Sequence, residues 1–476
     1  MVLRLYDTAA QQEREFVPHL AGTASMYVCG ATVQGPAHLG HLRSAVVYDV
    51  LRRWLTCGGL DVRFVRNVTD IEDKILAAAA HAGRPWWEWA ATHERAFDAA
   101  YRAVGCLPPS ISPRATGHVP QMVELMHRLT DGGQAYAVPG GDVYFDVRSY
   151  PDYGGLSGQR LEQMRPGDRG HGGAGKRDAR DFTLWKAARP GEPSWPSPWG
   201  RGRPAWHLEC SAMSTTYLGA EFDIHGGGRD LLFPHHENER AQSRSAGDGF
   251  ARYWTHNALI TAAGEKMSKS IGNTVSVDAL LRRVGGARLR YFLVAPHYRS
   301  VIEYSDTALA EAGAAYGRIE SFLRRLAERH GTAPPDKALP RGFVEALDAD
   351  LATPAAIATI HRVVRDGNAA LDRGDAGAAP AAGAAVRAMA GVLGLDPLTE
   401  PWASSAVRTS AAAESALSAL VGQLLRERDE ARALRDFVTA DAVRGRLLAA
   451  GVQVRDTSDG PTWSSARNGR VPCARS

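Results

Sequence analysis

The sequence predicts an α/β protein: a parallel-sheet domain carrying an insertion, followed by a helical region. Three observations carry this expectation. A strand, a turn, a helix and a second strand occupy residues 25–68. Sheet-like segments return near Phe222-Asp223-Ile224-His225 and Tyr253-Trp254-Thr255-His256. Beyond about Glu303 the composition shifts and the chain becomes alanine-rich and helical.

Taken in order, Ser25 to Cys29 reads as a buried strand. Gly30 to Gly35 is a turn-rich loop. A helix follows, because Leu42, Val46, Val50 and Trp54 recur four apart and give it one apolar face. Gly58-Gly59 stops it. Asp61 to Val68 alternates and reads as the second strand, which makes a βαβ unit with a right-handed crossover. Gly-x-Gly-x-x-Gly is absent from the first turn, so a dinucleotide site is not expected. Residues 117–203 read as an insertion, with a hairpin-like Gly140–Phe145 and a Gly/Arg surface loop over 165–180. Leu309 to Leu326 reads as a helix, and Pro334-Pro335 breaks the chain. Phe343 to Leu395 is helical with an Ala/Gly-rich gap near 374–383; Leu417 to Leu448 is a charged helical pair closed by Gly451.

A chain of 476 residues is expected to hold about three domains. Hydrophobic content of 44% with 23% charged residues is that of a soluble globular protein. A net charge of +4 tolerates an anionic partner without demanding one. The first residues lack the pattern of a signal peptide, and no apolar run approaches a membrane span. Five scattered cysteines argue against a disulfide framework. The expected setting is cytoplasmic.

Two motifs carry phosphate chemistry. His38-Leu39-Gly40-His41 falls at the predicted helix start, where free N–H groups and the helix dipole favour an anion. Gly40 allows close approach of a nucleotide. The two imidazoles can donate to phosphate oxygens as charge builds in the transition state. Lys266-Met267-Ser268-Lys269-Ser270 is a polar loop whose two ammonium groups suit departing pyrophosphate. Alone, each motif also fits ordinary surface residues. Together, in this order, they fit the triphosphate of ATP.

A third constellation is Trp206-His207-Leu208-Glu209-Cys210-Ser211-Ala212, His225-Gly226-Gly227-Gly228 and Phe233-Pro234-His235-His236-Glu237-Asn238-Glu239. With Tyr27-Val28-Cys29-Gly30 and Asn67 to Ile75, these stretches resemble the cysteinyl-tRNA synthetase family of class I aminoacyl-tRNA synthetases. The similarity runs from Leu3 to about Trp463. Two departures are mild: Leu39 stands where isoleucine is common, and Ala31 to Pro36 departs from the usual Pro-Thr-Val-Tyr-Asp wording.

The resemblance implies a Rossmann-like catalytic domain over 1–303, a helical tRNA-contacting domain over 304–415 and a small anticodon-binding module over 416–476. It implies one Zn2+ held by Cys29, Cys210, His235 and Glu239, a chemically sound donor set. Zinc would read sulfur by coordination, because cysteine and serine are too alike to separate by size. Thr69, Trp206 and His225 are expected to line the amino-acid pocket, and Asp230 to reach the ribose or the amino group. His38, His41, Lys266 and Lys269 would act on phosphates. The substrates implied are L-cysteine, ATP (with Mg2+, for which no protein ligand can be named) and tRNA(Cys). The enzyme is expected to be a monomer.

Arg426, Arg428, Arg432, Arg435, Arg444 and Arg446 could meet a nucleic-acid backbone. Glu427, Asp429, Glu430 and Asp436 could equally balance them. Trp463 could stack on an anticodon base. Two other readings stand beside it, a different ligase that makes the same adenylate and, of another class, a non-catalytic protein. The mycothiol-pathway cysteine ligases resemble the catalytic half, but they lack the tRNA-reading C-terminal part and the fourth ligand at the equivalent of Glu239. A non-catalytic tRNA-binding paralogue would not need intact phosphate and metal residues.

Overall fold

The computed structural model describes residues 2–164, 175–262, 264–266, 275–457, 460–465 and 468–471. The chain forms two units, Met1–Asp396 and Pro397–Ser476.

In the first unit, β1 (Arg4–Asp7) and β2 (Gln12–Glu15) make an antiparallel hairpin. β3 (Thr23–Val28) leads through a loop into α1 (Leu39–Cys57), and β4 (Asp61–Arg66) returns parallel to β3. The helix lies where the four-apart spacing puts it: Leu42, Val46, Val50 and Trp54 are all buried. Gly58 caps it, its N–H reaching the carbonyls of Trp54 and Thr56. After α2 (Asp73–His81) and α3 (Trp86–Ala103) comes the insertion. It contains α4 (Val119–Asp131) and an antiparallel sheet of β5 (Ala135–Ala137), β6 (Val143–Phe145), β7 (Phe182–Ala187) and β8 (Gly202–Pro204). Asp73, opening α2, accepts from Lys186 of β7 and Arg203 of β8, which ties the insertion to the main sheet.

The chain then returns through α5 (Trp206–Leu218), β9 (Glu221–Gly228), α6 (Glu237–Ser245) and β10 (Phe250–Asn257). The central sheet has the order β10-β9-β3-β4 and every pair is parallel. The chain leaves β3 toward one edge and comes back to β9 on its other side. The strand order therefore reverses between β3 and β9, and ligands of open α/β sheets bind beyond the strand ends at such a point.

β11 (Ile260–Ala262) pairs with β12 (Glu265–Lys266) and, across α7 (Val277–Val284) and α8 (Gly286–Val294), with β13 (Ile302–Tyr304). A helical layer completes the unit: α9 (Asp306–His330), α10 (Arg341–Asp348), α11 (Thr353–Asp372) and α12 (Ala378–Val392). Much of the expected gap near 374–383 is helix. Gly383 is there for packing: a Cβ on it would stand 2.0 Å from Leu326 Cδ2, so its absence lets α12 close on α9.

The second unit holds α13 (Trp402–Ala433), α14 (Phe437–Ala449) and an antiparallel sheet of β14 (Val452–Thr457), β15 (Gly460–Ser465) and β16 (Asn468–Val471). These strands were not foreseen in the terminal module. Their packing corrects one expectation: Trp463 is buried in a core with Val421, Leu425, Val443, Leu447 and Val452, so it offers no face to a base. Arg446 is paired with Glu427 at 2.8 Å, as the charge-balance reading expects. Among the described residues no helix is long and apolar enough to cross a membrane.

Candidate functional site

Cys29 follows β3 directly, and its N–H donates to the Gly226 carbonyl of β9 at 3.1 Å. It therefore sits at the point where the strand order reverses. Cys210 comes from α5, His235 from the turn that leads into α6 and Glu239 from the first turn of α6, a spacing of four that puts both on one face. Their donor atoms lie within 4.8 Å of one another and all four residues are buried. Cys29 Sγ is 3.7 Å from Cys210 Sγ and 3.3 Å from Glu239 Oε1; His235 Nε2 is 2.8 Å from Glu239 Oε1. The neighbours sharpen the charges. Burial pushes the Cys210 thiol up, but the hydrogen bond from Cys29 and the proximity of His235 win and bring it down to about 6. Burial and the nearby Cys210 raise the Cys29 thiol. Glu239 is held well below the carboxylate range because His225 and His235 outweigh its burial. Two soft sulfurs, an imidazole and a carboxylate in one dry cluster suit a metal such as zinc.

A second group, Cys29, His225, His236 and Glu239, meets the same distance test. The two groups share Cys29 and Glu239. They differ in whether the remaining donors are Cys210 and His235 or two further imidazoles.

In the supporting layer Trp206 is an expected pocket residue, whereas His207, His236, His256 and Glu209 carry no role in the sequence reading. Trp206 stacks on His235 with ring centroids 4.2 Å apart, and His207 Nδ1 meets His235 Nδ1 at 2.8 Å. His236 Nδ1 meets His256 Nε2, whose other nitrogen meets Thr8 Oγ1, each at 2.8 Å. Glu209 is buried beside Cys210, and that burial raises its carboxyl well above the usual range. The histidines at 207, 225, 235 and 236 are visible in sequence, but only folding shows which rings face the cluster.

A cavity of about 270 Å3 opens beside the cluster. Cys29, Trp206, Asp230, His38, Gly40 and His41 all line it. His38 caps α1, accepting from Gly40 N at 3.2 Å on Nδ1, while His38 N donates to His41 Nδ1 at 3.1 Å. A backbone N–H can only donate, so both Nδ1 atoms are acceptors and each neutral ring carries its proton on Nε2. The rings stack 3.7 Å apart. A Cβ on Gly40 would lie 3.0 Å from His38 Cε1, close enough to press on the His38 ring.

The remaining expected residues fall as follows. Thr69 and His225 are enclosed one layer behind the cavity. Thr69 Oγ1 accepts from Asn67 Nδ2 at 3.2 Å; His225 Nε2 meets Glu239 Oε2 at 2.7 Å and its ring stacks on Trp254. Lys266 ends β12, paired with Thr261. Lys269 and the rest of its motif, like residues 165–174, lie outside the described residues.

Gly30 joins cluster and cavity. Its N–H donates to Asn67 Oδ1 at 2.7 Å, and a Cβ would stand 1.7 Å from the Asn67 carbonyl oxygen. Gly30→Ala must push β3 and β4 apart just beyond their ends. The expected cost is about 1–3 kcal/mol, the usual range for overpacking. Urea denaturation checks it, and a variant as stable as the parent would show that the strands yield there.

Residues 15–314 match the family described as "tRNA synthetases class I (C) catalytic domain". Residues 342–398 match the "DALR domain", and residues 414–463 the "Cysteinyl-tRNA ligase anticodon binding domain". Among solved structures, the fold is similar to a Mycobacterium tuberculosis methionyl-tRNA synthetase in complex with methionyl-adenylate. Identity is 18%, TM-score 0.54, and the alignment covers 79% of this chain and 91% of that one. It is also similar to the LeuRS-tRNA-LeuAMS ternary complex of Agrobacterium radiobacter, with 12% identity, TM-score 0.56 and coverage of 80% and 85%.

Proposed function

The chain belongs to the class I (C) tRNA synthetases and is a cysteine–tRNA ligase, and from that premise we propose how its residues divide the work. ATP activates L-cysteine to cysteinyl-adenylate, which is transferred to the 3' end of tRNA. Cys29, Cys210, His235 and Glu239 hold one zinc ion, and the observation that carries this is their convergence, fully buried, beside the cavity. We prefer this group because it holds two sulfurs, one already lowered to about 6 by its neighbours. When bound, the zinc supplies a Lewis-acidic centre that takes a thiolate more readily than a hydroxyl.

His38 and His41 direct Nε2–H groups at the phosphates of ATP, with the N-terminus of α1 behind them. Gly40 leaves room for the nucleotide. Lys266 and Lys269 carry the charge of departing pyrophosphate, and Asp230 meets the ribose or the amino group. Trp206 walls the amino-acid side, while Thr69 and His225 support the pocket from behind. Little covalent chemistry falls to the protein; alignment and charge stabilisation carry the rate. The helical domain over 304–415 and the module over 416–476 engage tRNA(Cys), a reading supported by the two C-terminal family matches. The enzyme works as a monomer in the cytoplasm, with Mg2+ accompanying ATP.

The test is to incubate the pure protein with ATP, labelled cysteine and total tRNA, and to assay metal in the same preparation. Acid-precipitable label with one zinc per chain is the expected result. Cysteine-dependent pyrophosphate exchange without label on tRNA would mean that the adenylate goes to another acceptor.

A further inference from the structure

Among the described residues six arginines are buried: Arg43, Arg66, Arg203, Arg290, Arg387 and Arg428. Five have oxygen partners. Arg43 donates to backbone carbonyls, Arg203 meets Asp73, Arg290 meets Asp49, Arg387 meets Asp396 and Arg428 meets Asp429. Arg66 is the exception. It is 7% exposed, yet among the described residues its guanidinium has neither a hydrogen bond nor an ion pair. None of its nitrogens is sealed away from open space, so the free donors of this largely enclosed side chain open onto the cavity it lines.

Its surroundings show where the missing anion belongs. Arg66 is the last residue of β4, at the ligand-binding ends of the parallel strands, and it lines the same cavity as His38 and His41. Its guanidinium lies over Tyr101, 4.1 Å from the ring centroid. Tyr101 packs on Phe97 at 5.9 Å, Phe97 meets the edge of His41 at 4.8 Å, and His41 stacks on His38. One continuous aromatic column thus runs from the two imidazoles to the guanidinium. It fixes all three groups on one wall and restricts the rotamers of the arginine, so little entropy is lost when it binds.

We propose that Arg66 is a phosphate-binding residue of the activation step, closing on the ATP triphosphate and departing pyrophosphate from the same wall as His38 and His41. The planar fork matches phosphate oxygens two at a time. Its role is to hold the leaving group in line while the cysteine carboxylate attacks the α-phosphate. The inference rests on the cysteine-activating reading above.

The test uses the full-length enzyme in cysteine-dependent pyrophosphate exchange without tRNA. Arg66→Met keeps an apolar stem over Tyr101 and removes the charge. The expected result is a rise of about tenfold or more in KM for ATP and pyrophosphate, as for loss of a charge-assisted bond, with KM for cysteine unchanged. Arg66→Lys should recover part of the loss. An unchanged exchange with impaired charging of tRNA would assign the arginine to the acceptor end and overturn the proposal. So would a rise confined to KM for cysteine, which would assign it to the amino-acid carboxylate. A lower melting temperature with all kinetic constants intact would leave only a brace for Tyr101. Absence of exchange in the parent enzyme would instead overturn the activating reading itself.

Discussion

Cys210→Ser is expected to strip the metal from the protein and to lower cysteine activation by more than about 100-fold. The magnitude follows from outer-shell groups: removing one commonly costs about 10–100-fold in metal affinity or activity, and a direct ligand should exceed that. Serine is nearly the same size, so the packing of α5 is kept and the loss isolates the sulfur. The thiol at Cys210 is already brought down to about 6, whereas a serine hydroxyl has no accessible anion at neutral pH. This substitution also separates the two overlapping groups. If the metal sits on Cys29, His225, His236 and Glu239, Cys210→Ser keeps it and His236→Asn loses it. Atomic absorption on both variants, with Cys57→Ser at an exposed cysteine as control, decides between them. One metal per chain in Cys210→Ser would refute the preferred set.

Asp49→Asn is expected to cost about 3–5 kcal/mol, the range for breaking a buried ion pair and stranding its partner. Asp49 lies on the inner face of α1 and joins several elements. It meets Arg290 of α8 and Arg53, and accepts from Leu107 N at 2.8 Å. Arg290 in turn donates to the carbonyls of Leu393 and Val104. The network thus anchors the helix that carries His38 and His41. Burial alone would raise the Asp49 carboxyl, but Arg290 and Arg53 outweigh it and hold it below the usual range. A carboxyl depressed in the folded state adds stability that is fully present above its unfolded value, about 3.9, and is lost as pH falls through the lower folded value. The parent should lose this increment below about pH 4, and Asp49→Asn should show no such loss from this site. Urea midpoints of the larger unit between pH 3 and pH 7 measure it; parallel curves for the two proteins would remove Asp49 from the acid limb.

Local pattern was enough for much of the fold. The spacing of Leu42, Val46, Val50 and Trp54 gave α1 its buried face, and the flanking strands gave the parallel pair β3 and β4. His38 was placed at a helix start, and it is the cap. Where the reading failed, composition stood for two different physical situations. The Ala/Gly-rich stretch over 374–383 reads as a gap, but Gly383 serves close helix packing. Trp463 could stack on a base by its residue type alone, but a strand pairing turns it into the core.

By itself, then, the sequence determined the first βαβ unit, the helical character of the later region and the chemical vocabulary of the site, because periodicity, caps and motif wording act over a few residues. Only the tertiary structure decided which donors converge. Cys29 and Cys210 meet because β3 and α5 are brought together across the reversal in strand order, which no local signal records. It also decided that Arg66, one charged residue among many in the sequence, is the buried arginine left without an oxygen partner among the described residues. Burial and pairing are properties of long-range contacts, so a charge becomes a binding group only once its surroundings have closed around it.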